Sequence, residues 1–419
     1  MRTLKLIIRN PSHLIRSFLA RTVGHLTFFF LKRKEGQLYS IQSAQFLIRQ
    51  KNENTADAAG YDIGITSQLL HPETSYIRAH PRYTNKNISW DKTPQKVPQL
   101  HLYSIPEAFV SNLGVISTIN GNIIAESAEQ FGSNKHQPDG FIWIHENNFT
   151  LQKIKSAKIF NGESILLINK HSDNYGHFIL ECLPNIRLLK EIPNLADTNV
   201  VIHKTLNPIM RRALFESLEL AGIKENQIIE FGEEGEIGIF EKLHYPSPIT
   251  GHPTWKSEVA INFCEKLAAK IIDPDSNPIR KEHSADFLYI SRSAAYRRRP
   301  SNENEVIETL VSKGFNVVYP ESMSVQEQII LFSRAKIIVG ILGAAMTNIV
   351  FSPNNAQIIM LIPESISGHF FWDLASLKHQ VYYALFCKIV SQQRGYGDAD
   401  FYVDINELNE ALAIAYRMA

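Results

Sequence analysis

The chain has 419 residues, of which 44% are hydrophobic and 20% charged, a composition typical of a globular protein large enough for two domains. Its formal net charge of +1 excludes the strong positive field of most nucleic-acid-binding proteins, and no basic stripe is interleaved with aromatic residues. Its three cysteines are far apart without a Cys-x-x-Cys spacing, so the sequence favours neither a disulfide framework nor a zinc site and indicates a reducing compartment.

Residues 1–36 form a basic segment in which arginines and lysines alternate with apolar residues, and Glu35 is its one acidic residue. No apolar run reaches the ~18 residues of a membrane-spanning helix, and Arg9, Arg16 and Arg21 interrupt any signal-peptide core. Two interpretations remain: an amphipathic segment on an anionic membrane surface, or a basic helix packed on its own protein. We therefore predict a cytoplasmic protein, which under the first interpretation is peripheral on the inner face of the plasma membrane.

Strand and turn signals dominate residues 100–170. Two β-branched runs, 115–119 and 122–124, flank Asn120-Gly121, and Asn-Gly between such runs is the strongest short-range signal of a β-hairpin. The sequence therefore predicts a β-rich region ahead of the alternating part of the chain.

Strands alternate with helices from residue 164 onwards. The predicted order is a strand at 164–168, a helix capped by Asp173 or Asn174, a strand at 200–202, a helix at 208–221 and a strand from 228. Residues 244–253 contain three prolines and a glycine, which makes them the best candidate for an interdomain linker.

The alternation repeats in the C-terminal part of the chain. Strands are predicted at 287–290, 317–319, 337–340, 358–362 and 381–386, and helices at 255–272, 304–313, 324–335, 370–377 and 406–417. Strands separated by such helices form parallel βαβ units, so the sequence predicts a Rossmann-like domain whose ligand binds at the carboxyl ends of the strands.

A glycine turn follows the strand at 337–340. Gly343-Ala344-Ala345 removes side-chain bulk there, and Thr347 and Asn348 offer polar groups early in the next helix. The free N–H groups and the dipole of such a helix favour an anion over the turn. A dinucleotide-binding fingerprint is the weaker interpretation. Such a fingerprint has an aspartate or glutamate further along the chain that binds the ribose hydroxyl, whereas this chain has Met360 and Leu361 there.

A cluster of arginines lies between the strand at 287–290 and the next helix. Guanidinium groups bind planar oxyanions bidentately, so arginines at the carboxyl end of a strand suit a diphosphate. A solvated basic loop is the alternative for adjacent arginines. The cluster consists of Arg292, Arg297, Arg298 and Arg299, with Asn302-Glu303 at the start of the helix.

His177 and Glu181 are spaced i and i+4, so on a helix they share one face and the carboxylate can orient the imidazole. Such a pair can accept the proton of a hydroxyl nucleophile. The alternative is a structural histidine, either a cap or a core donor. Spacing alone does not decide which of the two residues would be the base.

The motifs occur in a defined order: Asn174-x-x-His177-Phe178-x-x-Glu181, Ser291-Arg292, Arg299-x-x-Asn302-Glu303, Glu327-Gln328, and Gly340-x-x-Gly343-Ala344 with Thr347-Asn348. This set, within about residues 100–415, resembles the family 61 glycosyltransferases, whose bacterial branch is associated with capsule and lipopolysaccharide assembly. The resemblance implies a GT-B architecture, in which two Rossmann-like domains face a cleft. We therefore expect an acceptor-side domain at 37–250 and a nucleotide-sugar (donor) domain at 251–419.

The resemblance also implies an inverting reaction that needs no metal or other cofactor and moves a sugar from a nucleotide-sugar to a hydroxyl of a glycan or lipid-linked glycan. His177 and Glu181 would be catalytic, and Asn174 would lie on the acceptor side. The donor-binding residues would be Arg292, Arg298, Arg299, Asn302, Glu303, Leu342, Gly343, Ala344, Thr347 and Asn348. Asp398-x-Asp400 matches a metal-binding signature of a different transferase architecture, but its glycine-containing loop predicts a solvated acidic turn.

Two positions depart from the family pattern. Leu342 stands where the family usually has a histidine, and Met360 where it often has a glutamate. Each change removes a charge-assisted hydrogen bond to the donor, worth ~1.5–3 kcal/mol. The alternative function is therefore a transferase-like protein that has lost catalysis and binds a glycan or a partner enzyme in a polysaccharide assembly complex.

Overall fold

The structure is a computed structural model, and the residues that it describes fall into ranges separated by gaps. At 38–42, 141–145 and 148–151 it describes the backbone alone. The basic segment predicted at 1–36 lies outside the described residues, as does the turn Asn120-Gly121. The described ranges are 38–42, 65–88, 93–118, 122–128, 141–145, 148–151, 155–168, 172–204, 206–251, 255–273, 286–292, 297–366, 369–390 and 398–419.

The strands, in chain order, are β1 Leu38–Gln42, β2 Thr66–His71, β3 Thr74–Tyr76, β4 Tyr83–Thr84, β5 Gln95–Val97, β6 Leu100–Ser111, β7 Ile116–Thr118, β8 Asn122–Ile124, β9 Phe141–His145, β10 Asn148–Leu151, β11 Ser156–Leu166, β12 Asn199–His203, β13 Ile228–Phe231, β14 Glu236–Pro246, β15 Thr250–Gly251, β16 Trp255–Lys256, β17 Phe287–Ile290, β18 Asn316–Val318, β19 Ile337–Ile341, β20 Gln357–Pro363, β21 Val381–Ile389 and β22 Phe401–Tyr402.

Among the described residues, the N-terminal sheet joins eleven strands, in the order β13-β12-β11-β14-β6-β7-β8-β1-β10-β9 with β2 paired to β6. Strands β11, β12, β13 and β14 are mutually parallel. From β11 the chain continues to β12 and β13 on one side of the sheet, whereas β14 lies on the other side of β11, so the order of the strands reverses between β11 and β14. Such a reversal is a topological switch point, where open α/β sheets bind ligands. The predicted hairpin is confirmed, because Ser117 of β7 pairs with Ile123 of β8 in an antiparallel register.

The C-terminal sheet has the order β18-β17-β19-β20-β21-β22, with β4 paired to β21. Strands β18 to β21 are parallel, as the alternation predicted. Every residue of β19 and β20 is buried, because helices cover both faces of the sheet. Chain order reverses between β17 and β19, which creates a second switch point.

The α-helices are α1 Ala125–Ala128, α2 Tyr175–His177, α3 Pro208–Leu220, α4 Glu258–Ile272, α5 Glu303–Val311, α6 Val325–Phe332, α7 His369–Leu377 and α8 Ile405–Tyr416. Helix α2 continues as a π-helix at Phe178–Cys182 and then as a 3-10 helix at Leu183–Glu191. The predicted capping box of α6 is confirmed, because the side chains of Ser324 and Glu327 each bond to the other residue's backbone N–H. Within the described ranges, no helix is long and apolar enough to cross a membrane.

Three predicted elements differ in the structure. The helix predicted from 255 begins at Glu258, because Trp255-Lys256 pair with Thr250-Gly251 and Ser257 supplies the N-cap. The first residues of the predicted linker, 244–246, are the end of β14. The helix predicted after the glycine turn is a 3-10 helix, Ala344–Phe351.

The largest hydrophobic cluster lies between the two sheets. It includes Ile165 of β11, Phe178 of the π-helix, Ile261 of α4 and Ile338 of β19, all of them buried. The chain also crosses between the sheets at β4, where Tyr83 pairs with Tyr383 of β21. The described residues thus form a mixed α/β fold whose two large sheets share a core, while the GT-B arrangement and the domain boundaries stay predictions.

Candidate functional site

Arg292 and Gly343 meet at the switch point of the C-terminal sheet. Arg292 follows β17 and Gly343 follows β19, so the two residues leave neighbouring parallel strands at the same edge. A Cβ on Gly343 would stand 1.7 Å from Nη1 of Arg292 and 2.8 Å from its Cζ. The guanidinium group therefore lies directly on the glycine turn, and a side chain at 343 would displace it from this position.

The segment after β11 carries His177 and Glu181. Asn174 caps α2, because its side-chain oxygen accepts a hydrogen bond from the N–H of Gly176 at 3.0 Å. Nδ1 of His177 lies 2.8 Å from Oε1 of Glu181, and the two side chains are only 14% and 15% exposed. The predicted i, i+4 contact is confirmed, although the helix widens into a π-turn between the two residues.

Helix α2 packs directly on the glycine turn. A Cβ on Gly176 would stand 2.9 Å from Oγ1 of Thr347 and 3.9 Å from Cα of Ala344. The hydroxyl of Tyr175 donates to Oδ1 of Asn348 at 2.6 Å. The tertiary structure therefore brings the His177–Glu181 segment, from one sheet, against the turn that follows β19 of the other.

Asn348 is fully buried, and its amide takes part in a chain of hydrogen bonds. Nδ2 of Asn348 donates to Oε1 of Gln328 at 2.6 Å. Nε2 of Gln328 donates to the carbonyl of Pro320 at 3.0 Å and to that of Met323 at 3.2 Å. Burial raises the pKa of the Tyr175 hydroxyl at the other end of the chain. We call Tyr175, Asn348 and Gln328 the amide chain, and it links α2 to the loop at the carboxyl end of β18.

The remaining residues predicted around the turn are mostly covered. Leu342 is 7% exposed and belongs to the core between the sheets, as does Met360 at 0%. Thr347 is fully buried, and its Oγ1 has no hydrogen-bond partner among the described residues. The apolar side chains of Leu342 and Met360 therefore fill the core next to the turn.

The adjacent arginines, Arg297 to Arg299, form what we call the arginine loop. Nη1 of Arg297 lies 3.1 Å from Oδ1 of Asp398, and the backbone N–H of Arg299 donates to Oδ1 of Asp400 at 2.9 Å. The acidic pair was predicted to be a solvated turn; its side chains are 36% and 24% exposed, and both carboxylates also bind this loop.

Asn302 and Glu303 hold the far side of the arginine loop. Nδ2 of Asn302 donates to the carbonyl of Val403 at 2.9 Å, and Oδ1 accepts from its N–H at 3.0 Å. Oε1 of Glu303 accepts a hydrogen bond from the hydroxyl of Ser291 at 2.7 Å. Asn302 thus binds the segment before α8, and Glu303 binds the residue that follows β17.

Arg292 carries an unusual electrostatic environment. Burial, followed by the positive charges of Arg298 and Arg297, lowers its pKa to about 10. Its Nε is buried and has no hydrogen-bond partner among the residues that the structure describes. A buried, still protonated guanidinium beside further arginines is well suited to an anionic ligand.

Sequence reasoning missed a cluster of three charged residues, one of which, Lys256, interacts electrostatically with Glu181. Asp373 is fully buried and accepts from Nε of Arg78 at 2.6 Å, and Nζ of Lys256 lies 3.5 Å from its second oxygen. Burial lowers the pKa of Lys256 to about 8, against the opposing effects of Asp373 and then Glu181. No local signal marks these residues, because they come from three distant segments and none of them forms a motif.

The described part of the chain contains no cluster of side chains that could bind a metal ion. No group of three or more histidine, cysteine, aspartate or glutamate side chains is placed there to hold a metal ion. The charged groups at the carboxyl ends of β17 and β19 are arginines, which bind anions.

Residues 175–359 match the family model Glycosyltransferase 61. The match begins at Tyr175 in α2 and ends at Ile359 in β20, so it spans the His177–Glu181 pair, the arginine loop and the glycine turn. The resemblance inferred from the motifs is confirmed over these residues, and the match supports a glycosyltransferase domain in this part of the chain. No curated protein matches the chain.

Proposed function

We propose that the protein is an inverting glycosyltransferase that moves a sugar from a nucleoside-diphosphate sugar to a hydroxyl of a glycan acceptor. One observation carries the proposal: the segment that carries the His177–Glu181 pair packs on the glycine turn through Gly176, and the guanidinium group of Arg292 lies on the same turn. A transferase needs these two functions on opposite sides of the sugar's anomeric carbon. The family match over residues 175–359 supports the reaction class.

His177 is the proposed base. When Nδ1–H donates to the carboxylate of Glu181, the lone pair of the neutral imidazole is on Nε2. Nε2 would accept the proton of the acceptor hydroxyl as its oxygen attacks the anomeric carbon. Glu181 then orients the ring and stabilises the imidazolium that forms. Attack opposite to the leaving group inverts the anomeric configuration.

Arginines would stabilise the leaving group. As the bond from the anomeric carbon to the diphosphate breaks, its electron pair goes to a diphosphate oxygen, and negative charge grows there. Arg292 and the arginine loop would stand at the carboxyl ends of the strands, where their positive charges can stabilise that negative charge. Fixed cations of this kind lower the barrier because they need no reorganisation during the reaction. The proposed reaction therefore uses arginines where other transferases use a divalent metal.

The acceptor would enter from the N-terminal side, past Asn174. We extend the proposal to a glycan or lipid-linked glycan of the bacterial surface, in capsule or lipopolysaccharide assembly, on the motif resemblance alone. A cytoplasmic location, peripheral at the membrane through residues 1–36, would bring the enzyme to a lipid-linked acceptor.

A panel of nucleoside-diphosphate sugars, incubated with the protein and an extract of cellular acceptors, tests the proposal. We expect one donor to be consumed and one acceptor to gain the mass of a sugar, with inverted anomeric configuration by NMR. Arg292→Met should abolish transfer. Arg212→Met is the matched control, because Arg212 is exposed on α3 and paired with Glu216.

The catalytically inactive alternative rests on Leu342 and Met360, which cannot hydrogen-bond a donor. It predicts that a glycan binds while no nucleotide-sugar binds or is consumed. Calorimetry with the same panel separates the two functions, since a transferase must bind its donor saturably. Failure of every donor to bind the intact protein would refute the transferase proposal.

A further inference from the structure

Asp398 and Asp400 belong to a segment that runs beside the arginine loop. The N–H of Arg298 donates to the carbonyl of Asp398 at 3.3 Å, and the N–H of Phe401 donates to the carbonyl of Arg299 at 3.1 Å. The backbone of the loop is therefore fixed against the chain that leads into α8.

The two carboxylates bind the first and third arginines of the loop. Nη1 of Arg297 lies 3.1 Å from one oxygen of Asp398 and 3.4 Å from the other. Asp400 accepts from the backbone N–H of Arg299 at 2.9 Å, and its second oxygen lies 3.7 Å from Nη2 of that arginine. Arg297 and Arg299 are thereby directed toward the acidic segment.

Arg298, between them, has a different backbone conformation. Its φ of 55° falls in the left-handed region, which is uncommon for residues other than glycine. Such conformations persist only where the surrounding structure enforces them, and they cluster at functional sites. The anchors at Arg297 and Arg299 supply that enforcement on both sides.

The loop places its charge beside Arg292. After burial, Arg298 has the largest effect among the groups that lower the pKa of Arg292, and Arg297 follows. The positive charges of Arg298 and Arg297 therefore repel that of Arg292, and a multivalent anion offsets that repulsion. A diphosphate has the charge and the oxygen geometry to bind several guanidinium groups at once.

We propose that Asp398 and Asp400 are positioning residues, which hold Arg297 and Arg299 so that Arg298 is presented together with Arg292 to the donor diphosphate. The identity of the anion rests on the proposed transferase function. Arg298 then contacts the donor and Arg299 anchors the loop. The acidic pair has arginines as its partners, in place of a metal ion.

Calorimetric titration of the full-length protein with inorganic pyrophosphate, in buffer that contains a chelator, tests this proposal. We expect saturable binding to the wild type and a loss of at least about tenfold in affinity for Arg298→Gly. Glycine accepts the left-handed backbone without strain, so this variant removes the guanidinium group with no loss of thermal stability. Asp398→Asn and Asp400→Asn should weaken binding by about tenfold each.

The direction of the change separates positioning from simple electrostatics. Removal of an acidic charge near an anion site would by Coulomb's law alone tighten pyrophosphate binding, whereas loss of a positioning residue weakens it. Asp404→Asn is the matched control, because it removes an acidic charge from the N-cap of α8 and keeps a capping side chain. The affinity of Asp404→Asn for pyrophosphate should equal that of the wild type. Asp398→Glu, which keeps the carboxylate, should bind pyrophosphate more tightly than Asp398→Asn.

Unchanged or tighter binding by Asp398→Asn would overturn the proposal, and so would wild-type binding that disappears in the chelator. Sugar transfer by a wild type that does not bind pyrophosphate would also overturn it, while the proposed function would stand. The expected pyrophosphate pattern without transfer from any nucleotide-sugar would instead refute the proposed function and leave the positioning role in place.

Discussion

Gly176 lies so close to Thr347 that a Cβ on residue 176 would stand 2.9 Å from Oγ1 of the threonine. Real side chains do not approach to that distance, so this contact sets how near α2 can come to the glycine turn. The residue that follows Gly176 is His177, and the position of the proposed base relative to the donor therefore depends on the absence of a side chain at 176.

Gly176→Ala should reduce sugar transfer by about tenfold or more, because a small displacement of a base is enough to cost that much. The effect should fall mainly on kcat, since the displaced residue acts in the chemical step. Steady-state kinetics with the donor that the panel identifies will measure it. Addition of Thr347→Ala should restore activity by removing the clashing atom, whereas Thr347→Val, which retains its volume, should not.

Loss of the base should have the largest kinetic effect. His177→Gln is expected to lower kcat by about 10²–10⁴-fold with little change in KM, because the proton would have no acceptor in the transition state. Glu181→Gln should lower kcat less, since the imidazole remains but its orientation is weakened. His71→Gln, at a partly exposed histidine at the end of β2, is the control. Equal kcat values for His177→Gln and the wild type would exclude His177 as the base.

Stability should depend on pH through Lys256. Burial lowers its pKa to about 8, whereas an unfolded lysine titrates near ~10.4. Between these values the unfolded chain binds a proton that the folded chain lacks, so the free energy of unfolding rises with pH. Below about pH 8 both states are protonated and this contribution does not change with pH.

Denaturant unfolding of the wild type and of Lys256→Met at pH 7.5 and at pH 10 checks this expectation. The stability of the wild type relative to the variant should increase by up to about 3 kcal/mol between the two values. Lys336→Met, at an exposed lysine paired with Asp286, is the control and should show no such increase. A decrease toward pH 10 would contradict the argument.

The amide chain should contribute to stability cooperatively. Asn348→Ala removes the acceptor of the Tyr175 hydroxyl and the donor to Oε1 of Gln328 in a buried place, which should cost about 2–4 kcal/mol. A double-mutant cycle with Gln328→Ala should give a coupling energy of at least about 1 kcal/mol. The pair Asn348→Ala and Gln227→Ala, with Gln227 bonded to Leu195 and Thr198 instead, should be additive. Additive behaviour of Asn348 and Gln328 would show that they act independently.

Most elements of the C-terminal sheet follow from local patterns. The strand at 287–290 and the capping box at Ser324 match the structure, because buried parallel strands and helix N-termini carry strong residue preferences. The irregular segment at 178–191 was not predictable, since its π and 3-10 turns depend on packing between the two sheets. The end of β14 was mistaken for a linker because its proline, Pro246, stands at a strand end, where a missing N–H is tolerated.

The sequence by itself determined which residues stand at strand ends and which share a helix face: Arg292, Gly343, and the pair His177 and Glu181. Spacing along a regular backbone is enough for that. Only the tertiary structure decided which of these groups meet, because the distance from α2 to the glycine turn depends on a missing Cβ at 176. It also decided that Asp398 and Asp400 bind the arginine loop and that Lys256 lies beside Asp373, since charges far apart in sequence interact only after the chain has folded.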